Sequence, residues 1–480
     1  MKKLLLLAPL PVAAVLAGAL VAHGQSTKWT GTIQMYAQAY TPNKPGAKRP
    51  LKAFQAIANE YQKANPGVKI QFITDDVQDN NQTIRVKAAA GELWDVFWAQ
   101  WSALNSQLPQ GVAVNLAPYF RQKNPYVPNA ATWADAMNET VIAETSAPGG
   151  ASYQINGDYV SFGMYYNQDL FKKAGITKTP TTFAELLETS KKLKDAGVGV
   201  MAAVPSYPWW QTYFLSDLYS KDYARIAGFD KQPGVSALDE AVAINKGILS
   251  PKDSRFMAWW PVFKRFTDYW VADYLPLDPD KNYDAFQDFV AGKVAMIFEG
   301  SYKYNEMQEA GVKFGIGAFS FPRLDKGASP LFNGTYIANA VGGPSAAFQY
   351  AISSAKANRT MNEPGKLEAV VDWMRFFATP KNLERIVSEN GSFVPSWPGT
   401  TARLNFDAKA FTDQTTQPRR VVEVGKTGAN LGWGDMQRIF GLYLSNNLTL
   451  QQATAQVQQT LDKASNEYAQ KNNINFANYR

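Results

Sequence analysis

The side chains that usually carry nucleophilic or metal chemistry are almost missing from this chain. Among 480 residues there is one histidine, His23, and no cysteine. A Ser-His-Asp triad, a Cys-His dyad and a His- or Cys-ligated zinc site therefore have nothing to use in the body of the sequence. Disulfides are excluded, as is a lipid-modified N-terminal cysteine. What remains is carboxylate, lysine or tyrosine chemistry, or binding without covalent change, and no cofactor or metal ion is expected. Aromatics, by contrast, are abundant, with 13 Trp and 23 Tyr. They are densest in VPSYPWWQTYF, residues 204–214. Such a stretch serves as core, as a membrane contact or as a platform for a ligand.

The elements that position these residues can be read from periodicity. Residues 29–40 alternate as a strand, 50–67 repeat as a helix stopped by Asn65-Pro66-Gly67, and 68–72 and 92–100 alternate again. That order predicts a parallel α/β sheet. The grammar recurs with strands at 160–167, 198–204, 293–300 and 314–322 and helices at 182–197 and 283–292. Thr182 and Glu185 form a capping box at the start of the 182–197 helix. Amphipathic helices follow at 366–379, 435–447 and 449–470. In open α/β sheets, ligands sit beyond the C-terminal ends of strands. Three predicted strand ends carry aromatics beside hydrogen-bonding groups: Trp98, Gln100 and Trp101; then Tyr207, Trp209 and Trp210; then Glu299 with Tyr302. A tryptophan face covers the apolar face of a sugar ring, worth ~0.5–1.5 kcal/mol beyond buried area by analogy with aromatic pairs. Trp259 and Trp260 lie among Phe256, Phe263, Phe266 and Trp270 at helical spacing and read as core.

Length bounds the architecture. A chain of 480 residues exceeds one ordinary core, so two or three lobes are expected. The first residues, MKKLLLLAPLPVAAVLAGALVAHGQ, read as a secretory signal peptide over 1–24, and no later run is long and apolar enough to span a membrane. A formal net charge of +7 with no dense Lys/Arg run argues against a nucleic-acid partner. DPDKNYDAF (278–286) lacks the glycine and the final glutamate of a calcium loop. VGKTGAN (424–430) has Arg420 where a phosphate loop needs its first glycine, and it too is rejected.

The order of the pieces resembles the family 1 extracellular solute-binding proteins of ABC importers, the sugar-binding group that includes maltose-binding protein. YYNQDLFKKAGITKTPTTFAELLETSKKLKDAG (165–197) is similar to that family's Tyr-Asn-Lys-Asp-Leu-Phe signature and the helix that follows it. FQDFVAGKVAMIFEGSY (286–302), EYQKANPGVKIQF (60–72), AAAGELWDVFWA (88–99) and the stretch 371–397 match other parts, so the resemblance covers most of 30–470. It implies a type II-like periplasmic binding protein fold: two α/β lobes, with hinge crossovers near Val160, Lys313 and Ala378. The lobes would comprise 27–160 with 314–378, and 161–313 with 379–480. The segment 343–365 is longer than the family's link and is expected to carry an extra helix or hairpin.

By the same resemblance, Tyr207, Trp209 and Trp210 fall where aromatics contact sugar. Trp98, Gln100 and Trp101 correspond to a tryptophan with polar neighbours, Glu299 and Tyr302 to a strand end, and Trp433 to a late tryptophan that stacks on sugar. Asp158 stands where many members place an acidic or amide group facing the cleft. Tyr40, Thr41 and Asn333 are weaker candidates. The implied function is capture of a carbohydrate, with the aromatic count favouring an oligosaccharide, by a monomeric periplasmic protein that delivers it to the permease subunits. An exported two-carboxylate glycosidase remains open, with Asp158 and Glu299 as the pair to nominate. So does a binding protein for a polyamine or phosphorylated polyol.

Overall fold

The computed structural model describes residues 28–46, 50–147, 150–202, 206–230, 234–271, 285–335, 342–343, 348–401, 403, 409–412, 420–428 and 431–479. The expected signal peptide and the 278–284 part of the rejected calcium loop lie outside the described residues. In chain order the strands are β1 (Gly31–Tyr36), β2 (Val68–Phe72), β3 (Val96–Trp98), β4 (Ile155–Asn156), β5 (Asp158–Asn167) and β6 (Gly199–Ala202). They continue with β7 (Val294–Gly300), β8 (Ile316–Phe319), β9 (Gly342–Gly343), β10 (Gln349–Ile352) and β11 (Val394–Pro395).

Two sheets result. The first runs β2-β1-β3-β10-β4, and the second β11-β5-β7-β6, with β8 and β9 also paired to β5. β1 is parallel to β2 and β3, as the strand–helix–strand order predicts. The helix Lys52–Ala64 between them buries Phe54, Ile57, Ala58 and Tyr61 on one stripe. It ends where Asn65 donates its side-chain amide to the carbonyl of Tyr61. The helix Phe183–Asp195 has the capping box read from Thr182 and Glu185, with both arms formed. Such a cap is worth about 1 kcal/mol.

The first sheet departs from the expectation of a purely parallel sheet. β10 enters its centre antiparallel, pairing Tyr350 with Trp98 on one side and Gln349 with Asn156 on the other. All four of its residues are buried, so it shows no alternation and could not be separated from a loop by period. It lies in the segment read as an added helix or hairpin, which also holds a 3-10 turn at Arg359–Asn362.

Two large hydrophobic cores follow the two sheets. One packs Phe54, Tyr350, Trp373 and Phe377 with the first sheet, and the other packs Trp210, Trp259, Trp260, Phe263 and Phe440 with the second. They divide the chain differently from the boundaries at 313/314 and 378/379. β8 pairs with β5 from Met164↔Phe319 to Asn167↔Ile316, and Phe321, Leu324 and Phe332 continue into the second core. Conversely, the helix Pro380–Asn390 gives Leu383, Ile386 and Val387 to the first. Phe332 and Phe348 thus pack in different cores, and Trp397 packs in the first core although β11, just before it, pairs in the second sheet. Val160 packs against both cores.

These segments converge around residues 156–160. β5 pairs with β9 through Val160↔Gly343 and with β11 through Asp158↔Pro395. Gly157 N–H donates to Phe348 O at 3.0 Å, and the Trp397 indole N–H donates to Asn156 O at 2.6 Å. A side chain at Gly157 would lie 2.8 Å from Leu383 and 2.9 Å from Phe348, so only glycine allows this approach.

Candidate functional site

Residues 207–214 of the aromatic stretch open a helix, Tyr207–Leu218. Pro208 stands in its first turn, where the missing N–H costs no intrahelical bond. Helical geometry then separates the aromatics by face. Tyr207, Trp210 and Phe214 are 0 % exposed. Trp210 lies against Phe298 at 4.7 Å and Phe263 at 5.0 Å between ring centroids. Tyr207 packs on Trp259 and Phe440, and burial holds its phenol well above the ordinary tyrosine range. The expectation that these two rings offer a binding face is thus not met in this conformation: they are core, because i, i+3 spacing puts them on the helix's inner stripe. Trp209 is different. It and Pro208 stay half-buried while every residue from Trp210 to Tyr219 is buried. Its ring leans on Phe162 at 4.9 Å and Phe298 at 6.5 Å. Phe162 lies two residues beyond Val160 on β5 and so shares its face. Trp209 is therefore held beside the strand on which the two cores meet.

The end of β7 supplies the second element. Tyr302 folds back over its own strand: a side chain on Gly300 would meet the Tyr302 ring at 2.3 Å. Although it follows a strand of the second sheet, Tyr302 is half-buried against the first core, so it too stands between the lobes. Glu299 is half-buried and accepts the Gly300 N–H at 3.3 Å. It pairs across from Gly163, and its charge adds to the burial that raises the Tyr165 phenol.

On the first lobe, Trp98 closes β3 and is buried at 8 % exposure. Gln100 is exposed and caps the helix Trp101–Ser106, whose first residue, Trp101, is half-buried. After β1 the chain turns sharply, with Gln38 at φ 54°. Tyr40 presents its edge to Phe393 at 5.3 Å. Thr41 is fully buried, donating its hydroxyl to Gln38 O, and is a turn lock.

Asp158 is 0 % exposed, and both its carboxylate oxygens accept the Phe348 N–H at 3.2 Å. It therefore ties the start of β5 to the residue that leads into β10 and does not present a free carboxylate. Five residues separate it from Gly163, the partner of Glu299, which is about 17 Å of strand and the opposite face. Paired glycosidase carboxyls lie roughly 5–9.5 Å apart, so these two do not form the nominated pair. Asn333 is also structural. It donates its backbone N–H to Asp217 Oδ2 at 2.8 Å and its side-chain amide to Asp217 O and Leu218 O, closing the C-terminal end of the 207–218 helix.

The segment carrying Trp433 forms a π-helical turn, Leu431–Met436, whose Trp433 side chain lies outside the described residues. Its backbone comes to the 207–218 helix: a side chain on Gly432 would meet Pro208 Cγ at 3.6 Å. Gln437 Oε1 accepts the Tyr207 N–H at 2.6 Å. Sequence reading missed the residues that hold this segment. Gln211 bonds both to Val424 O and from Val424 N, and Glu240, fully buried on the helix Ala237–Asn245, accepts from Gly425, Lys426 and Thr427. Nothing local marks Glu240, because its partners lie some 185 residues away. Among the described residues, no cluster of three or more His, Cys, Asp or Glu is placed to hold a metal, and no helix is long and apolar enough to cross a membrane.

Comparison with known proteins gives the geometry a context. The sequence profile described as "Bacterial extracellular solute-binding protein" matches residues 45–384. The chain is 25% identical over 183 residues to the sn-glycerol-3-phosphate-binding periplasmic protein UgpB of Brucella abortus, covering 38% of this chain and 39% of that protein. It is 24% identical over 275 residues to a maltooligosaccharide ABC transporter solute-binding lipoprotein of Streptococcus pneumoniae, covering 57% of each. These matches span well under two thirds of the length of the curated relatives. The apo-form of RafE from Streptococcus pneumoniae superposes with a TM-score of 0.61 at 16% identity, covering 92% of this chain and 99% of that one. RafE in complex with raffinose gives 0.56, at 16% identity and 91% and 100% coverage.

Proposed function

The chain belongs to the bacterial extracellular solute-binding proteins, and from that premise we propose that it captures a carbohydrate, an oligosaccharide, between its two lobes. It would act outside the cytoplasmic membrane and hand the sugar to the membrane subunits of an ABC importer. The observation that carries this reading is the half-exposed Trp209 beside β5, with Tyr302 reaching from the second sheet to the first core. Two such rings flanking one junction suit the apolar faces of linked sugars, and the exposed amide of Gln100 suits hydroxyls. Closure of the lobes on the ligand would convert binding into a shape that a membrane partner can read. Binding without covalent change also agrees with Asp158 being occupied by the Phe348 N–H.

The similarity to UgpB favours a second reading, a phosphorylated polyol as ligand. The phosphate-loop-like stretch does not support it, since its backbone N–H groups are already taken by Glu240. Isothermal titration with maltooligosaccharides, raffinose and sn-glycerol 3-phosphate separates the two. Sugar binding without turnover is the expected result. Binding of the phosphate ester alone, or hydrolysis of the sugar, overturns the proposal.

A further inference from the structure

Residues 424–430 resemble a phosphate loop in sequence, and the structure shows that part of the likeness is physical. The N–H groups of Gly425, Lys426 and Thr427 converge as an anion-binding nest. They converge on a carboxylate of the protein itself. Gly425 N and Lys426 N donate to Glu240 Oε2 at 2.9 and 2.8 Å, and Thr427 N and Thr427 Oγ1 donate to Oε1 at 3.2 and 2.7 Å. Burying an ionised carboxylate is costly unless its lone pairs are met, and four donors meet them here. Burial still raises the Glu240 carboxyl above its ordinary range, opposed by the Thr427 hydroxyl bond, the Lys426 and Thr427 backbone N–H bonds and the Lys426 charge.

The clasped backbone is the surface on which the Trp433 turn rests. Gly425, at φ 145°, lies so close to Gly432 that a side chain on it would meet Gly432 Cα at 3.5 Å. Gly432 in turn faces Pro208, the residue before Trp209. A chain of direct contacts thus runs from Glu240 through Gly425 and Gly432 to the residues preceding both candidate aromatics. The nearer cation is engaged elsewhere: Lys426 Nζ donates to Val235 O and pairs with Glu423 at 3.2 Å.

We propose that Glu240 is a positioning residue of the binding site, a built-in anion that fixes the 424–428 backbone and thereby sets the Trp433 turn against the N-terminal end of the Trp209 helix. Its relevance to ligand binding rests on the carbohydrate reading above; the clasp itself does not. Removing the carboxylate should leave an empty nest that a small carboxylate can refill.

The test uses the full chain with Glu240→Ala and Glu240→Gln, each with and without Trp433→Phe, so that the difference spectrum in near-ultraviolet circular dichroism and fluorescence reports Trp433 alone. Glu240→Ala should shift that spectrum, and sodium formate should restore it while leaving the wild type unaltered. Glu240→Gln, which fills the space but turns an amide N–H toward donor groups, should shift it less and should ignore formate. If Glu240→Ala fails to fold without formate, refolding on formate supports the clasp, and the Gln variant supplies the Trp433 readout. In parallel, the affinity of Glu240→Ala for a maltooligosaccharide bound by the wild type should fall about tenfold and recover with formate. An unmoved Trp433 signal, or a shift that formate does not reverse, overturns the clasp. A formate-responsive Trp433 signal in Glu240→Ala, together with a wild type that binds no sugar, upholds the clasp and overturns the ligand reading. Unchanged sugar affinity in folded Glu240→Ala overturns the positioning role and leaves the ligand reading standing.

Discussion

Two adjacent tryptophans should behave oppositely on truncation, and this contrast tests the assignment of faces on the 207–218 helix. Trp210 is 0 % exposed, with ring neighbours Phe298, Phe263, Phe321, Trp270 and Phe266 at 4.7 to 6.5 Å. Trp210→Ala empties an indole-sized space that rigid rings cannot fill, a change that costs about 3–5 kcal/mol. Trp209 is half-buried, with ring contacts to Phe162 and Phe298. Its truncation returns only part of a side chain's burial, about 1–2 kcal/mol. The order reverses for binding. A sugar face covering about 50 Å² of the exposed Trp209 ring contributes roughly 1.3 kcal/mol by area, and stacking geometry brings this to about 2 kcal/mol, near 30-fold in Kd. Urea denaturation followed by tryptophan-independent circular dichroism, together with calorimetric titration of an oligosaccharide, measures both. Trp209→Ala should stay folded and lose affinity. Trp210→Ala should lower the unfolding midpoint of the second lobe and keep near-normal affinity where it remains folded. A stable Trp210→Ala protein, or a Trp209→Ala protein with unchanged affinity, refutes the face assignment.

Two further predictions concern buried charge. Lys366 and Asp95, 7% and 1% exposed, pair at 2.9 Å inside the first lobe, where Asp95 also accepts from Gln34 N and Asn358 Nδ2. Lys366→Met should destabilise the first lobe by about 3–5 kcal/mol, because it strands a buried carboxylate; denaturation with no loss of stability would disprove this. Asp372 accepts the hydroxyls of Tyr61 and Tyr126 at 2.9 Å each. Burial raises its carboxyl above the usual range, against those two bonds and the Arg375 charge. The folded state then holds this proton to higher pH than the unfolded state, so its contribution is full below the ordinary aspartate pKa and is lost as pH rises through the raised value. The stability of the wild type relative to Asp372→Asn should therefore fall from pH 4 to pH 7 in urea titrations, and a flat or rising difference would contradict the cause assigned.

Much of the framework was legible locally. The parallel pairing of β1 with β2, the stripe Phe54, Ile57 and Tyr61, and the Thr182 capping box depend on spacings within a few residues. The aromatic core around Trp259 and Trp260 was legible for the same reason. The Tyr207–Trp210 stretch was read as a set of candidate platforms without a helix to sort them; a proline in a first helical turn is compatible with the helix, and once it is a helix the inner and outer rings separate. β10 was hidden by the opposite effect, since a strand buried on both faces shows no period.

The sequence by itself determined the elements, the family resemblance, and the near absence of histidine and cysteine chemistry, because each of these is a property of residue type and short-range spacing. Only the tertiary structure decided which aromatics face inward, that Asp158 is spent on the Phe348 N–H, that β8 and the 380–390 helix exchange lobes relative to expectation, and that Glu240 fills the 425–427 nest. Those outcomes hang on contacts between residues up to 337 positions apart. No local pattern encodes such a pairing; the packing of two cores and the satisfaction of buried polar groups select it.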